Sequence, residues 1–267
     1  MGEFTEQVVI ITGASEGIGR ALALQLAPSR PRLVLAARNA TRLAELVVEC
    51  EALGAEAVGV TTDVTQEDQC RALVDAAVDA YGGVDMLVAN AGRTMWAAFE
   101  DIEQPGLLED LMAVNYFGSV YCTRYALPWL KRAGGRIVAV ASVAGLTGVP
   151  ARTGYCASKH AMIGFFDSLR IELAGSGVSV TVIAPDFVVS EIHRRAVDGK
   201  GNPLEETPMN EDRIMTAEEC AQRITGAAAQ RRRLLITSAR GRLGRWLKLI
   251  SPTTVDRIAE KAIAERR

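Results

Sequence analysis

VVIITGASEGIGRALALQLA, residues 8–27, is the stretch that decides the fold. Val8 to Thr12 is a short β-branched run and reads as a strand. Gly13-Ala-Ser-Glu-Gly17-Ile-Gly19 follows as a loop, and Arg20 to Ala27 has helical spacing. A strand, a glycine loop and a helix in succession open a dinucleotide-binding unit. The glycines allow a tight turn and let backbone N–H groups approach a phosphate at the helix N-terminus, where the dipole favours negative charge. The spacing is Gly-x-x-x-Gly-x-Gly, not the standard Gly-x-Gly-x-x-Gly, so the context carries this reading. A loop with three merely structural glycines is the competing one.

The same alternation continues outward. Leu33 to Ala37 is a second strand and Thr41 to Leu53 a helix with Leu43, Leu46, Val47 and Cys50 on one stripe, stopped by Gly54. Glu56 to Thr62 is a third strand, and Thr65 stands as the N-cap of a helix running to Tyr81. Val84 to Ala89, Ile137 to Ser142, Val178 to Ala184 and Leu234 to Thr237 are four more strands. Between them lie a long helical pattern over Pro105 to Arg132, interrupted at Pro128, a helix over Thr153 to Ala174, and one from Thr216 to about Gln230. The expected fold is a single-domain α/β Rossmann-type doubly wound parallel sheet of about seven strands, with helices on both faces. No repeat or second-domain boundary interrupts residues 1–267.

Composition narrows the partners. The 267 residues carry a net charge of −2, so no basic bias favours nucleic acid. The acidic N-terminus runs straight into the first strand, and no apolar run reaches the roughly 20 residues that span a bilayer. Five scattered cysteines without a CxxC read as reduced thiols in a cytoplasmic protein. Two histidines argue against His-based triads and multi-His metal centres, so no metal is expected.

Two places carry candidate chemistry. At the end of the second strand the chain has Ala37-Arg38-Asn39, where a carboxylate would bind ribose hydroxyls. A guanidinium there can pair with a 2′-phosphate, which favours NADP over NAD, while Glu16 weakly opposes it by like charge. The second place is SVAGLTGVPARTGYCASK, residues 142–159. Tyr155 and Lys159 are four apart and share a helix face, and the fifth strand delivers Ser142 to the same neighbourhood. A hydroxyl, a phenol and an ammonium together suit proton transfer. Taken alone, the Tyr–Lys pair is ordinary helix decoration, although only five of the thirty basic residues are lysines. Asn115, among Met112, Val114, Tyr116 and Phe117, needs a polar partner on so apolar a helix.

Two segments depart from the periodic pattern. Residues 191–215 are polar and glycine- and proline-rich, and read as a substrate or lid loop, with a loop of no role as the alternative. Residues 240–267 form a basic amphipathic extension, in which Arg240, Arg242, Arg245 and Lys248 alternate with Leu243, Trp246, Leu247 and Ile250. That pattern reads as one or two helical turns closed by Ser251-Pro252, then a second amphipathic helix over Val255 to Ile263. Packing on the protein's own body or on a partner is favoured over contact with a membrane surface.

Taken in order, Thr12-Gly-x-x-x-Gly17-x-Gly19, Asp63, Asn90-Ala91-Gly92, Asn115, Ser142 and Tyr155-x-x-x-Lys159 resemble the short-chain dehydrogenase/reductase family from Val8 to about Thr237. Arg38 and the basic tail look most like its NADP-linked, hydroxysteroid-dehydrogenase-like branch. The resemblance implies that Gly13, Ser15, Gly17, Ile18 and Gly19 cradle the cofactor's pyrophosphate and adenosine side, and that Asp63 and Val64 flank the adenine. It implies that Asn90, Ala91 and Gly92 line the cofactor's middle, and that Val188 and Ser190 contact the nicotinamide carboxamide. Tyr155 would be the general acid/base and Ser142 the donor to the substrate oxygen. Lys159 would bind ribose and lower the Tyr pKa, and Asn115 would hold a water in a proton relay.

The expected activity is an NADP(H)-dependent interconversion of a small-molecule ketone or aldehyde and an alcohol, on an apolar substrate such as a steroid-like, lipid or aromatic ketone. A non-catalytic dinucleotide sensor or scaffold on the same fold is the alternative. The family also implies a homodimer or homotetramer paired through the helices around Asn115 and Tyr155, with Ala157, Ala161, Met162, Gly164 and Phe165 compatible with close packing. Two departures stand out: Pro185-Asp186 replaces the family's Pro-Gly, and Ser190 replaces its Thr.

Overall fold

A computed structural model of the chain describes residues 3–192, 194–204 and 214–264. Seven parallel strands run Val8–Thr12 (β1), Arg32–Ala37 (β2), Glu56–Thr61 (β3), Met86–Ala89 (β4), Arg136–Val140 (β5), Ser179–Ala184 (β6) and Leu234–Ile236 (β7). Their order is β3-β2-β1-β4-β5-β6-β7. The order reverses between β1 and β4, which is where a doubly wound sheet opens its ligand crevice. Register is set by parallel pairs such as Ile10 with Val34 and Leu87.

The helices are Gly17–Leu26 (α1), Ala40–Ala52 (α2), Glu67–Tyr81 (α3), Leu107–Met112 (α4), Gly118–Ala133 (α5), Thr153–Glu172 (α6), Ala217–Ala229 (α7), Ala239–Ile250 (α8) and Pro252–Ala264 (α9). All five residues of β1 are buried because helices cover both sheet faces. Val9 and Ile11 join Leu22, Leu46 and Ile224 from α1, α2 and α7 on one face. Val8 and Ile10 join Leu73, Leu130 and Phe166 from α3, α5 and α6 on the other. The one-residue alternation of the strand thus feeds two cores.

Four local expectations are corrected. Thr65 does not cap α3; Gln66 takes the N-cap position, and the Thr65 hydroxyl and N–H donate to Asp63 Oδ1 at 2.8 and 3.0 Å. That short-range bond competes with capping. The break between α4 and α5 lies at Ala113–Phe117, a single π-helical turn, and not at Pro128. Pro128 sits inside α5 on its exposed side, one turn after Arg124, an exposed residue whose carbonyl loses its intrahelical donor. Met162 is buried in the protein's own core and is not part of a helix-pairing surface, whereas Ala157 and Gly164 are exposed. The basic tail is a full three-turn helix, α8, followed directly by α9.

Capping explains where several helices start. Asn39 and Thr216 accept the N–H groups of Arg42 and Glu219 at 3.0 and 3.1 Å, opening α2 and α7. None of the described helices is long and apolar enough to cross a membrane.

Candidate active site

The glycine loop lies against the C-terminal ends of β1 and β4. Thr12 Oγ1 accepts the N–H groups of Asn90 and Ala91 at 3.0 and 3.1 Å, and Asn90 Nδ2 donates to Thr12 and Gly13 carbonyls at 2.9 and 3.2 Å. These bonds fuse the loop to the strand that follows the sheet's switch point. A Cβ on Gly19 would stand 2.3 Å from the Gly13 carbonyl oxygen, and Gly13 adopts φ +65° with Ala91 Cα 2.8 Å from its own missing Cβ. Only glycine fits at either place. Gly17 faces Ser190 across a gap that a Cβ would narrow to 3.0 Å. The loop opening α1 and the segment after β6 therefore face each other, a cradle suited to a dinucleotide's phosphates. Ser15 and Ile18 are half-buried in that loop. Val188 is buried and pairs with Met215, and Ser190 Oγ donates to the Val188 carbonyl at 3.3 Å.

The end of the crevice expected to take the adenosine is charged. Arg38 is exposed just beyond β2. Glu16 accepts Arg42 at 2.9 Å and Arg195 at 2.8 Å, so two guanidinium groups compensate its charge. Sequence reasoning missed both, since neither pairing is local in the chain. Asp63 stands after β3 with Oδ1 committed to Thr65, and Val64 packs tightly against Gly118.

The candidate proton-transfer residues converge at the C-terminal end of β5 and the N-terminal part of α6. Ser142 follows β5, and its Oγ accepts the Ala144 N–H at 3.1 Å and lies within 3.4 Å of the Pro185 carbonyl. Tyr155 and Lys159 occupy one face of α6, with Lys159 Nζ 5.9 Å from the phenol centroid. Lys159 is 3% exposed and donates to the Val140 carbonyl at 2.9 Å. Burial pushes its ammonium down to about 7 from the usual 10.5. Burial pushes the Tyr155 phenol up, opposed by the Arg152 cation and a hydrogen bond with Ser142.

Asn115 is fully buried, and the π-helical turn turns its amide toward the backbone of Arg93. Oδ1 accepts the Arg93 N–H at 2.8 Å, while Nδ2 donates to the Arg93 carbonyl at 2.9 Å and to Ser158 Oγ at 2.8 Å. A Cβ on Gly92 would lie 3.2 Å from Asn115 Oδ1 and 3.6 Å from Lys159 Nζ, so Gly92 marks the passage between them.

A pocket opens from Ser142 and Tyr155 toward Val143, Leu146 and Val149, and α8 and α9 roof it with Gly244, Val255 and Ile258. The tail is thus part of the site. Asp186, the residue that departs from the family pattern, holds it there: its carboxylate accepts Arg240 Nη2 at 2.8 and 2.9 Å and Ser238 Oγ at 2.7 Å. Ser238 in turn caps α8 by accepting the Gly241 N–H at 2.9 Å. Among the described residues no group of three or more His, Cys, Asp or Glu side chains is placed to hold a metal ion.

This fold and site define a dinucleotide-binding oxidoreductase scaffold. Residues 7–201 match the family described as short chain dehydrogenase, and the chain belongs to that family, in its hydroxysteroid-dehydrogenase-like branch. It is similar to 11-beta-hydroxysteroid dehydrogenase 1A of Arabidopsis thaliana, 34% identical over 257 residues, covering 94% of this chain and 73% of that one. It is also similar to Dehydrogenase/reductase SDR family protein 7-like of Dictyostelium discoideum, 32% identical over 266 residues, covering 97% and 82%. A crystal structure of a short chain dehydrogenase/reductase from Burkholderia phymatum in complex with NAD superposes with a TM-score of 0.82 at 32% identity, covering 93% of this chain and 94% of that one. The protein is therefore a short-chain dehydrogenase/reductase that takes a nicotinamide dinucleotide and acts on a small molecule.

Proposed function

We propose that the protein is an NADP(H)-dependent oxidoreductase that interconverts an apolar ketone, steroid-like, lipid or aromatic, and its secondary alcohol. The observation that carries this reading is that Ser142 and Tyr155 line a pocket with largely apolar walls, with the buried Lys159 ammonium 5.9 Å from the Tyr155 ring centroid. The nicotinamide, when bound, supplies or accepts the hydride. Gly13, Ser15, Gly17, Ile18, Gly19, Asn90, Ala91, Gly92, Val188 and Ser190 would hold the cofactor, with Asp63 and Val64 at the adenine. Arg38 beyond β2 supports NADP, and the pairing of Glu16 with Arg42 and Arg195 removes the like-charge objection to a 2′-phosphate.

Ser142 donates a hydrogen bond to the substrate oxygen, and one such donor contributes roughly 2.7–4 kcal/mol to the transition state. Tyr155 gives its proton to that oxygen in reduction and takes it back in oxidation. Burial keeps the phenol protonated near neutrality, which suits the acid role. Lys159, buried and short of charge-stabilising partners, gains them from ribose hydroxyls. Asn115 and the Gly92 passage lead from Lys159 toward Arg93, the route proposed for proton exchange. Residues 191–192, 194–204 and 214–215 would form part of a lid, a reading supported by Val197, which bridges to Met95 and packs in the cluster that holds Tyr155; 193 and 205–213 lie outside the described residues. A homodimer or tetramer through the exposed faces of α5 and α6 is supported by exposed Ala157, Gly164 and Phe117.

The test is Tyr155→Phe, measured by NADPH absorbance against a panel of ketones and alcohols. Cofactor binding is retained and turnover falls at least about 100-fold. Retained turnover would refute the assignment.

A further inference from the structure

Arg152 is a buried charged side chain of the pocket for which neither the fold nor the family assignment supplies a role. It precedes α6 and is 4% exposed. Its guanidinium carbon lies 4.5 Å from the Tyr155 ring centroid, closer than the Lys159 ammonium at 5.9 Å. Trp96 and Phe187 flank it at 5.5 and 5.7 Å, and Nη2 donates to Thr94 Oγ1 at 2.5 Å. The planar group is thus clamped between rings and a buried hydroxyl over the phenol.

The other neighbours of Tyr155 do not duplicate this charge. The segment after β4 and α4 contribute Met95, Ala97, Leu107 and Leu111, and Ala144 follows β5. Ser142 contributes a neutral hydroxyl, and Cys156 a thiol that burial keeps protonated. Asp186 reaches the same pocket with its carboxylate bound to Arg240 and Ser238, and Arg245 stands exposed at the roof. Lys159 titrates near neutrality, whereas an arginine holds its charge at every working pH. A cation over an aromatic face in a water-poor site stabilises the phenolate more than the phenol.

We propose that Arg152 is a positioning residue whose fixed charge over the Tyr155 ring sets the pH range in which that phenol serves as acid or base. This rests on the reading of Tyr155 as the proton-transfer group. Arg152→Gln removes the charge, and Arg152→Lys keeps it without the planar stack. Two readouts separate the proposal from the wider function. In the first, tyrosinate absorbance of cofactor-free protein is followed by stopped-flow pH jump, with Tyr155→Phe subtracted. The Tyr155 inflection moves up by about one pH unit or more in Arg152→Gln and by less in Arg152→Lys. In the second, the alkaline limb of kcat/KM for ketone reduction moves up by the same amount. If Arg152→Gln fails to fold, Thr94→Val, which loosens the clamp, shows a smaller shift in the same direction. An unmoved inflection overturns the proposal, as does a rise in KM with an unchanged pH profile, which would make Arg152 a substrate contact. The absorbance readout needs no turnover, so loss of the oxidoreductase reading and loss of this one are distinct results.

Discussion

Lys159 should cost the cofactor-free protein stability, and Lys159→Met tests this. The ammonium is 3% exposed, and burial lowers it from 10.5 to about 7. Because the folded value lies below the unfolded one, the unfolded chain holds the extra proton between these two values. The penalty is therefore complete below pH 7 and is relieved as pH rises toward 10.5. A gap of about 3.5 units at ~1.36 kcal/mol each is on the order of 5 kcal/mol. Methionine fills similar space but gives up the 2.9 Å bond to the Val140 carbonyl, a loss of about 1 kcal/mol, plus some misfit. The net gain at pH 7 is about 3 kcal/mol, or roughly 10 °C in melting temperature for a chain of this size. Calorimetry of the apoproteins between about pH 6 and pH 10 should show the variant melting higher at neutrality, with the gap closing on the alkaline side. A variant that melts lower at every pH, with the wild-type slope retained, would show that Lys159 is not held against its charge.

Three further outcomes follow from the geometry. Asp186→Ala removes the acceptor of Arg240 and Ser238; part of the pair is exposed, so the loss is about 2 kcal/mol. It should raise KM for an apolar substrate about 10-fold or more, leave NADPH binding unchanged, and open α8 to limited proteolysis; unchanged KM and protection would dismiss the clamp. Arg38→Ala should weaken NADPH about 10-fold or more and leave NADH unaffected, as read by cofactor fluorescence; equal NADPH affinity in both proteins would remove Arg38 from the phosphate site. Gly19→Ala, whose Cβ would stand 2.3 Å from the Gly13 carbonyl oxygen, should displace the loop and weaken dinucleotide binding about 100-fold in a chain that still folds. Unaltered binding would place the phosphates elsewhere.

The strands and the glycine loop were legible because their signals are local: β-branched runs bounded by glycine, and glycines next to a helix start. Ser142, Tyr155 and Lys159 were legible because a strand end and an i, i+4 pair place them with little help from the rest of the chain. Asn115 was recognised as needing a partner, but not that the partner would be the Arg93 backbone, since a π-helical turn leaves no period in the sequence. Pro128 misled because a proline on the exposed side of a helix can be accommodated within it, as α5 does. Arg152 was invisible for a similar reason. It stands three residues before Tyr155, ahead of the helix, and only the turn entering α6 folds it over the ring. Asp186 stands out in the sequence only as a departure from the family's Pro-Gly; its partners lie more than fifty positions along, at Ser238 and Arg240.

The Asp186 clamp also separates two kinds of inheritance in this chain. The candidate reaction residues all lie before about 190, whereas the pocket's roof is built by residues 240–259 and held by the Asp186 carboxylate on Arg240 and by Lys248 on the Leu146 carbonyl. Exchange of that terminal cassette, with the Asp186–Arg240 docking point retained, offers a way to redesign which small molecule is accepted while Ser142, Tyr155 and Lys159 stay untouched.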